Sequence, residues 1–233
     1  MALAADKDVL ARPADVSFLG ADAVVARARG LTHLLKQSGH DGTLLFKRGC
    51  EVALLEPGEA AAAYKAKILG YQAGGDFLAL QAAAPDRLAS LIEGLSTAEL
   101  TRRPAPEKWS IQEIVAHLAD DELVGGYRLR MILSSPGTAI QAFDQDIWAR
   151  TGRYDRTDVC SSLEIFRVLR QANLALLRSL RTEEWEMFGV HAERGVESIR
   201  DIAMYFAGHD INHFKQIEAI RRDGGLPERG AAE

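Results

Sequence analysis

The sequence of 233 residues has no apolar run close to the roughly 20 residues that a membrane-spanning helix requires. It contains two cysteines, Cys50 and Cys160, which lie far apart and form no CxxC motif, so a disulfide scaffold is not expected. The N-terminus has acidic residues and no long apolar stretch, which is unlike a secretory signal. These absences favour a cytoplasmic protein that does not bind a membrane.

Negative charges outnumber positive ones, because the sequence has 33 aspartates and glutamates but 28 lysines and arginines, which gives a net charge of −5. No basic stripe with interleaved aromatic residues is present, so we expect no nucleic-acid partner. The sequence contains no GxGxxG, Walker or GxSxG motif. Nucleotide binding through such loops and serine-hydrolase chemistry are therefore not predicted.

The residue pattern changes at Ala73-Gly74-Gly75, which we interpret as a linker. We predict a small N-terminal α+β extension of unknown role over residues 1–75, a mainly helical domain over 76–225, and a tail over 226–233. Within the extension, the pattern predicts a helix over 21–36, a β-hairpin over 43–47 and 51–56, and a short helix over 59–69. Because an isolated hairpin is only marginally stable, it should be covered by its own helices or by a second subunit.

From residue 76 onward the pattern is almost entirely helical. Pro85 either opens a helix at Asp86 or kinks a longer helix from Phe77. Three further helix starts are marked by capping boxes or a close variant: Ser110 with Glu113, Ser161 with Glu164, and Ser198 with Asp201. About four long helices are thus predicted, joined by loops over 96–109, 134–160 and 181–197, which is typical of an antiparallel four-helix bundle.

The last of these helices carries two histidines on its apolar face. His209 and His213 continue a stripe that includes Phe206 and Ile217, because steps of three and four residues keep one face of a helix. An i, i+4 pair of imidazoles can chelate one metal ion. The same spacing also arises by chance, and an inward histidine can equally be a hydrogen-bonded core residue.

A third histidine, His117, borders the apolar stripe of the helix that starts at Ser110. Two helices could therefore bring three imidazoles around one ion, with the fourth position left for water. Asp121 and Asp210 are either acceptors for the imidazole N–H groups or simply solvated. His191, which precedes a turn, is interpreted as an ordinary loop residue or a group on the substrate side.

Two segments resemble the signatures of the DinB-like superfamily, which includes bacterial thiol S-transferases that use bacillithiol or mycothiol. The first is PAPEKWSIQEIVAHLAD at residues 104–120, and the second is GHDINHFKQI at residues 208–217. Shorter segments that begin at Phe143 and Phe166 also occur where this family has similar ones. The resemblance covers about residues 76–225. It implies a four-helix bundle, a divalent metal on three histidines, often nickel or zinc, and frequently a homodimer.

The resemblance assigns the metal to His117, His209 and His213. The leading functional hypothesis is a metal-dependent thiol S-transferase or hydrolase that acts on a small electrophile. In the transferase the open metal position holds a low-molecular-weight thiol as cosubstrate, whereas in the hydrolase it holds water. Asp121 is the candidate catalytic base. The alternative is a non-enzymatic metal-binding stress or scaffold protein, whose site would be plugged by side chains instead of lying beside a polar pocket.

Overall fold

The computed structural model describes residues 59–225, so the helix predicted at 21–36, the hairpin and the tail lie outside the described residues. The described residues belong to one compact unit and form seven α-helices and one three-stranded sheet. None of these helices is both long and apolar enough to cross a membrane. The division of the chain at residue 75 and the homodimer stay predictions.

Four long helices form a bundle: α2 (Phe77–Ile92), α4 (Ile111–Ser134), α6 (Val159–Ser179) and α7 (Ile199–Asp223). Helix α4 packs against α6 and α7, and α2 packs against the same two helices. Helices α2 and α4 therefore lie diagonally across one core, and the predicted bundle is confirmed.

Shorter elements fill the connections between these helices. Helix α1 (Glu59–Tyr71) packs on α7, and the other short elements are α3 (Thr97–Thr101), α5 (Gln145–Thr151) and the 3₁₀ turns Tyr154–Arg156 and Thr182–Glu186. The sheet consists of β1 (Ala139–Ile140), β2 (Phe188–His191) and β3 (Gly195–Ser198). Strand β1 runs parallel to β2, and β2 runs antiparallel to β3. The sequence pattern did not predict this sheet, because such short strands show no clear alternation.

Side-chain caps set the starts of two bundle helices as predicted. The Ser110 hydroxyl accepts a hydrogen bond from the Glu113 amide, and the Glu113 carboxylate accepts one from the Ser110 amide. Ser198 and Asp201 form the same reciprocal pair at the start of α7. Each capping box satisfies two amides that the helix itself leaves without acceptors.

The other two bundle helices start differently. The capping box predicted at Ser161 is wrong, because α6 begins directly after Asp158, and the Asp158 carboxylate accepts from the Ser161 amide. Helix α2 begins at Phe77, so the longer of the two predicted helices is correct and Pro85 lies inside it, while the kink stays a prediction. Asp76 caps this helix by accepting from two amides of its first turn.

Apolar side chains form two clusters, one toward each end of the bundle. The first includes Leu88, Ile114, Leu118, Phe166 and Ile217. The second includes Leu129, Ile132, Leu177, Ile199 and Ile202. A layer of buried polar residues lies between them: Gln81, Glu122, Arg170, Asn173 and Asp210. Since burial of ions is costly unless they are paired, the bonding within this layer decides whether the bundle is stable.

Arg170 on α6 joins all four bundle helices through the polar layer. Its guanidinium donates to both carboxylate oxygens of Asp210 on α7, at 2.6 and 3.1 Å, and to Glu122 on α4 at 2.7 Å. It also donates to the main-chain oxygen of Gln81 on α2 at 3.0 Å. Asn173, three residues later on α6, donates a further hydrogen bond to Glu122. Removal of the arginine would therefore leave two buried carboxylates without their counter-ion.

Helix α1 approaches α7 closely at Gly208. A Cβ atom at Gly208 would lie 2.0 Å from the main-chain oxygen of Ile68, so only glycine allows the two helices to pack at this distance. Ile68 is completely buried, and Lys65 forms an ion pair with Glu197 on β3 at 3.1 Å. Helix α1 thus lies before the predicted boundary at residue 75 but packs on the helix that carries His209.

Replacement of Arg170 by Met should lower the free energy of unfolding by about 3–5 kcal/mol, because it removes one partner from a buried ion cluster. Arg167→Met is the matched control on the same helix. Arg167 pairs with Asp86 and Glu164 at the surface, so its loss should cost at most about 1 kcal/mol. Urea unfolding followed by circular dichroism measures both. Equal effects of the two substitutions would contradict the role given to Arg170.

Replacement of Ser110 by Ala should lower the free energy of unfolding by about 0.5–2 kcal/mol, because the Glu113 amide loses its acceptor. Metal binding should persist, since Ser110 is not a predicted ligand. Ser179→Ala, at the exposed end of α6, is the control and should change stability by less than about 0.5 kcal/mol. An S110A protein as stable as the wild type would show that the cap does not stabilise α4.

Candidate metal centre

His209 and His213 lie one turn apart on α7 with their Nε2 atoms 3.1 Å from each other. This is close to the about 3.3 Å that separates two nitrogens on one tetrahedral zinc ion. The Nδ1 atom of His209 lies 3.2 Å from Asp121 Oδ2, and that of His213 lies 3.0 Å from Gln216 Oε1. Because both oxygens act as acceptors, each Nδ1 atom carries the hydrogen of a neutral imidazole, and two Nε2 lone pairs face each other. A cation between them would remove this repulsion.

His117 on α4 completes the cluster. Its ring centroid lies 5.4 Å from that of His209 and 4.9 Å from that of His213. One ligand nitrogen of each histidine lies within 4.8 Å of the others. His117 is 1% exposed, yet neither of its ring nitrogens has a hydrogen-bond partner. Buried polar atoms are rarely left in this state, so the donor set fits a metal ion held by three imidazoles.

Burial keeps these three imidazoles neutral. It lowers the pKa of His117 to about 4 and that of His213 to about 3, and it lowers the pKa of His209 well below its ordinary value. The neighbouring histidines lower the pKa of His209 and His213 further. At neutral pH each ring therefore keeps one nitrogen without a hydrogen, and no proton competes with a metal ion for that nitrogen.

Asp121 follows His117 by one turn of α4 and faces the histidines. Its Oδ2 atom lies 3.2 Å from His209 Nδ1 and 3.6 Å from His117 Nε2. Burial raises the pKa of Asp121 to about 7, against the opposing effect of the positive charge on Arg128. The side chain is 13% exposed and is less deeply buried than those of His117 and His209. Asp121 thus has the geometry of an acceptor for the His209 imidazole, and its role as a base stays a prediction.

Two other residues considered from the sequence lie in different surroundings. Asp210 accepts from Arg170 inside the bundle, so neither predicted role, acceptor for a ligand imidazole or solvated residue, is correct. His191 is not an ordinary loop residue, because it ends strand β2 and is 1% exposed. Its Nδ1 atom accepts from the amides of Glu193 and Arg194, and burial lowers its pKa to about 4.

Aromatic rings that sequence reasoning missed flank the histidines. Trp109 stacks on His213 with the ring centroids 6.5 Å apart, and Tyr205 stacks on His209 at 5.8 Å. The Arg194 guanidinium lies over the Tyr205 ring, 4.9 Å from its centroid. Tyr205 precedes His209 by four residues, so helical spacing could have identified it. Arg194 comes from the connection between β2 and β3, and no spacing relates it to the histidines.

Two cavities border helix α4. A polar cleft of about 350 Å³ has Trp109 and Asp146 in its wall, and the same Trp109 ring stacks on His213. A second, more apolar groove of about 470 Å³ runs along α4 between Leu123 and Met131. None of the three histidines lines either cavity, so the choice between an open enzyme site and a plugged metal site stays a prediction.

The sequence profile of the DinB superfamily matches residues 81–217, a range that contains all three histidines and more than half of the chain. The chain belongs to the DinB superfamily. A curated DinB relative from Halalkalibacterium halodurans is 22% identical over 134 residues, which cover 58% of this chain and 78% of the relative. Another, from Bacillus licheniformis, is 27% identical over 144 residues, which cover 61% and 81%. Both relatives are named as candidate metal-dependent hydrolases.

The solved structure of YfiT from Bacillus subtilis has the same DinB fold. The two chains superpose with a TM-score of 0.62 at 18% sequence identity, and the match covers 78% of this chain and 95% of YfiT. YfiT is described as a candidate metal-dependent hydrolase with an unusual four-helix bundle topology. At this identity the likeness shows the fold alone. The family and the bundle expected from the resemblance are confirmed.

Replacement of Asp121 by Asn should weaken metal binding by about 10- to 100-fold, because His209 loses the carboxylate that fixes its tautomer. His209→Ala should lower the metal content from about one ion per chain to a trace, since it removes one of three ligands. Asp120→Asn is the control, because the Asp120 carboxylate accepts from the Tyr154 hydroxyl and not from a histidine. Competition with a chromophoric chelator gives the affinities. A D121N protein that binds metal as tightly as D120N would refute the role of Asp121.

Proposed function

We propose that this DinB protein is a metal-dependent hydrolase of a small electrophilic substrate, with a divalent transition metal on His117, His209 and His213. The supporting observation is that three neutral imidazoles each offer one ring nitrogen within 4.8 Å of the others, and that the ring nitrogens of His117 have no hydrogen-bond partner. Nitrogen donors of this kind suit zinc, nickel, cobalt or copper better than magnesium or calcium. Three protein ligands leave one coordination position open for catalysis.

A divalent ion on these nitrogens supplies a Lewis acid, which lowers the pKa of a water or thiol in its fourth position. The chain itself supplies the proton acceptor. Asp121 lies beside two of the three histidines, is 13% exposed, and has a pKa raised by burial to about 7. A bound divalent cation would lower this pKa, and the carboxylate can take up a proton from a nucleophile and return it to a leaving group.

Thiol transfer is the second candidate, and one observation favours it. Arg194 lies over the Tyr205 ring, and its positive charge acts on both Asp121 and His209. A cation in this place would favour the thiolate form of a low-molecular-weight cosubstrate. The same metal, histidines and Asp121 would serve both reactions, so the two candidates differ only in the nucleophile.

The test uses protein purified without a histidine tag and loaded with zinc or nickel. Activated esters and amides assay hydrolysis, while a low-molecular-weight thiol with a chloronitrobenzene assays transfer. Turnover should require the metal and disappear in His209→Ala. Asp121→Asn at saturating metal should lower kcat by about 10²–10⁴-fold, as loss of a general base does.

Arg178→Gln, at an exposed position of α6, is the control and should retain full activity. Turnover of the ester panel without the thiol would support the hydrolase, and turnover only with the thiol would support the transferase. Metal-loaded protein that exceeds free metal ion in neither assay would overturn both and leave a metal-binding protein without catalysis.

A further inference from the structure

A groove on α4 outside the three-histidine cluster has the dimensions of a small-molecule site. Its wall includes Leu123, Tyr127, Arg128, Ile140, Phe143 and Trp148, and we call it the Arg128 groove. The volume of about 470 Å³ falls within the range of about 300–1,000 Å³ that small-molecule pockets occupy. Helix α4 forms one side, and the segment from β1 to α5 forms the other.

The surface of the Arg128 groove is largely apolar and open to solvent. Leu123 is 55% exposed and Tyr127 is 64% exposed, although both are large apolar side chains. Phe143 and Trp148 pack together on the opposite side with their ring centroids 4.6 Å apart. Neighbouring apolar side chains that remain exposed in this way often mark a binding site.

One charged group stands in this apolar wall. Arg128 is 7% exposed, and its guanidinium lies 5.7 Å from the centroid of the Phe143 ring. Nη2 donates to the main-chain oxygen of Gln141 at 2.9 Å. Among residues 59–225, no carboxylate oxygen lies within 4.0 Å of this guanidinium. A buried charge without a counter-ion is costly, and an anionic ligand would supply the missing partner.

Within the described part of the chain, the charges around Arg128 leave its positive charge uncompensated. Glu197, which acts on Arg128 from a distance, already accepts from Nε and Nη2 of Arg194, each at 2.8 Å, and pairs with Lys65 at 3.1 Å. Asp121, the other carboxylate that acts on Arg128, faces His209. Arg194 and Lys65 together outweigh the single negative charge of Glu197, so Arg194 still acts on Arg128 as a positive charge. The local field therefore attracts an anion to the groove.

We propose that the Arg128 groove binds a small organic acid, with its carboxylate on the Arg128 guanidinium and its apolar body between Tyr127 and the Phe143–Trp148 pair. A guanidinium holds a carboxylate through two parallel hydrogen bonds, which fixes the orientation of the ligand. The apolar body covers the exposed side chains of Leu123 and Tyr127. This is a proposal about binding, and it does not depend on the chemistry proposed at the metal.

The groove lies along the same helix as the metal centre. Eleven residues separate His117 from Arg128, or about 16 Å along the helix axis, and the arginine side chain leans back toward the helix N-terminus. Asp121 lies between them on α4, close enough for the Arg128 charge to act on its carboxyl. A ligand in the groove therefore lies on the same helix as the centre without contacting any of the three histidines.

The binding test compares probes that carry the apolar chain, the negative charge, or both. Octanoate and octanesulfonate have an apolar chain and a negative charge, octanamide has the chain without the charge, and acetate has the charge without the chain. Sulfonate is a weak metal ligand, so octanesulfonate separates the groove from the metal. We expect one octanoate and one octanesulfonate per metal-loaded chain by calorimetry, each bound about ten- to a hundredfold more tightly than octanamide or acetate.

Variants locate the site. R128M keeps an unbranched apolar stem without the charge and should lose the same factor in octanesulfonate affinity, whereas R128K should fall between R128M and the wild type. R178M, at an exposed position of the neighbouring helix α6, is the control and should bind like the wild type. Octanesulfonate should raise the thermal midpoint of the wild type and of R178M but not of R128M.

Three results would overturn the proposal. The first is equal affinity for octanoate and octanamide, which would show that the charge is not recognised. The second is unchanged octanesulfonate binding in R128M, including the case in which R128M melts at a much lower temperature and Arg128 is purely structural. The third is loss of binding as the protein self-associates in sedimentation runs, which would show that a second copy of the chain covers the groove.

Discussion

The arrangement of this bundle depends on the ion cluster around the buried guanidinium of Arg170. Each carboxylate that binds it stands beside a residue of the metal centre in sequence, since Glu122 follows Asp121 and Asp210 follows His209. Neighbouring side chains on an α-helix diverge by about 100°, so one member of each pair faces the core while the other faces the histidines. The cluster therefore sets the rotation of both helices that supply ligands. The cost of burying the ions is offset only because the pairing is complete.

The charge distribution around the histidines favours anionic species. Three imidazoles bring no charge of their own, so a divalent ion on them would retain its double positive charge. The Asp121 carboxylate, in direct contact with the cluster, would offset only one of these two charges. Arg128 on α4 and Arg194 in the connection between β2 and β3 both add positive charge near Asp121. A nucleophile that loses a proton at the centre and an organic anion in the Arg128 groove would both be stabilised by this field. The two proposed sites thus share one electrostatic environment, although they bind through different groups.

Helical periodicity was sufficient to predict the bundle and to place His209 and His213 one turn apart on an apolar face. It left open whether they bind a metal with His117, and the resemblance to the DinB-like superfamily supplied that assignment. Periodicity also could not decide between Asp121 and Asp210 as partners of the histidines. That choice depends on the rotation of each helix, which Arg170 fixes through contacts with residues far away in sequence. The strands of the small sheet were missed for a similar reason, since their pairing is tertiary and they are too short for a pattern.

The way in which Arg170 bonds also determines how the protein opens. No bundle helix can detach alone without leaving part of the ion cluster buried and unpaired, so α2, α4, α6 and α7 should open together in one cooperative step. Amide hydrogens near the polar layer would then exchange with solvent only through global unfolding. Helix α1 and the β2–β3 hairpin lie outside the cluster, and their amides can exchange through smaller, local openings. The amides of the described residues would therefore fall into a slowly and a rapidly exchanging class, and those of the three histidines would belong to the slow class.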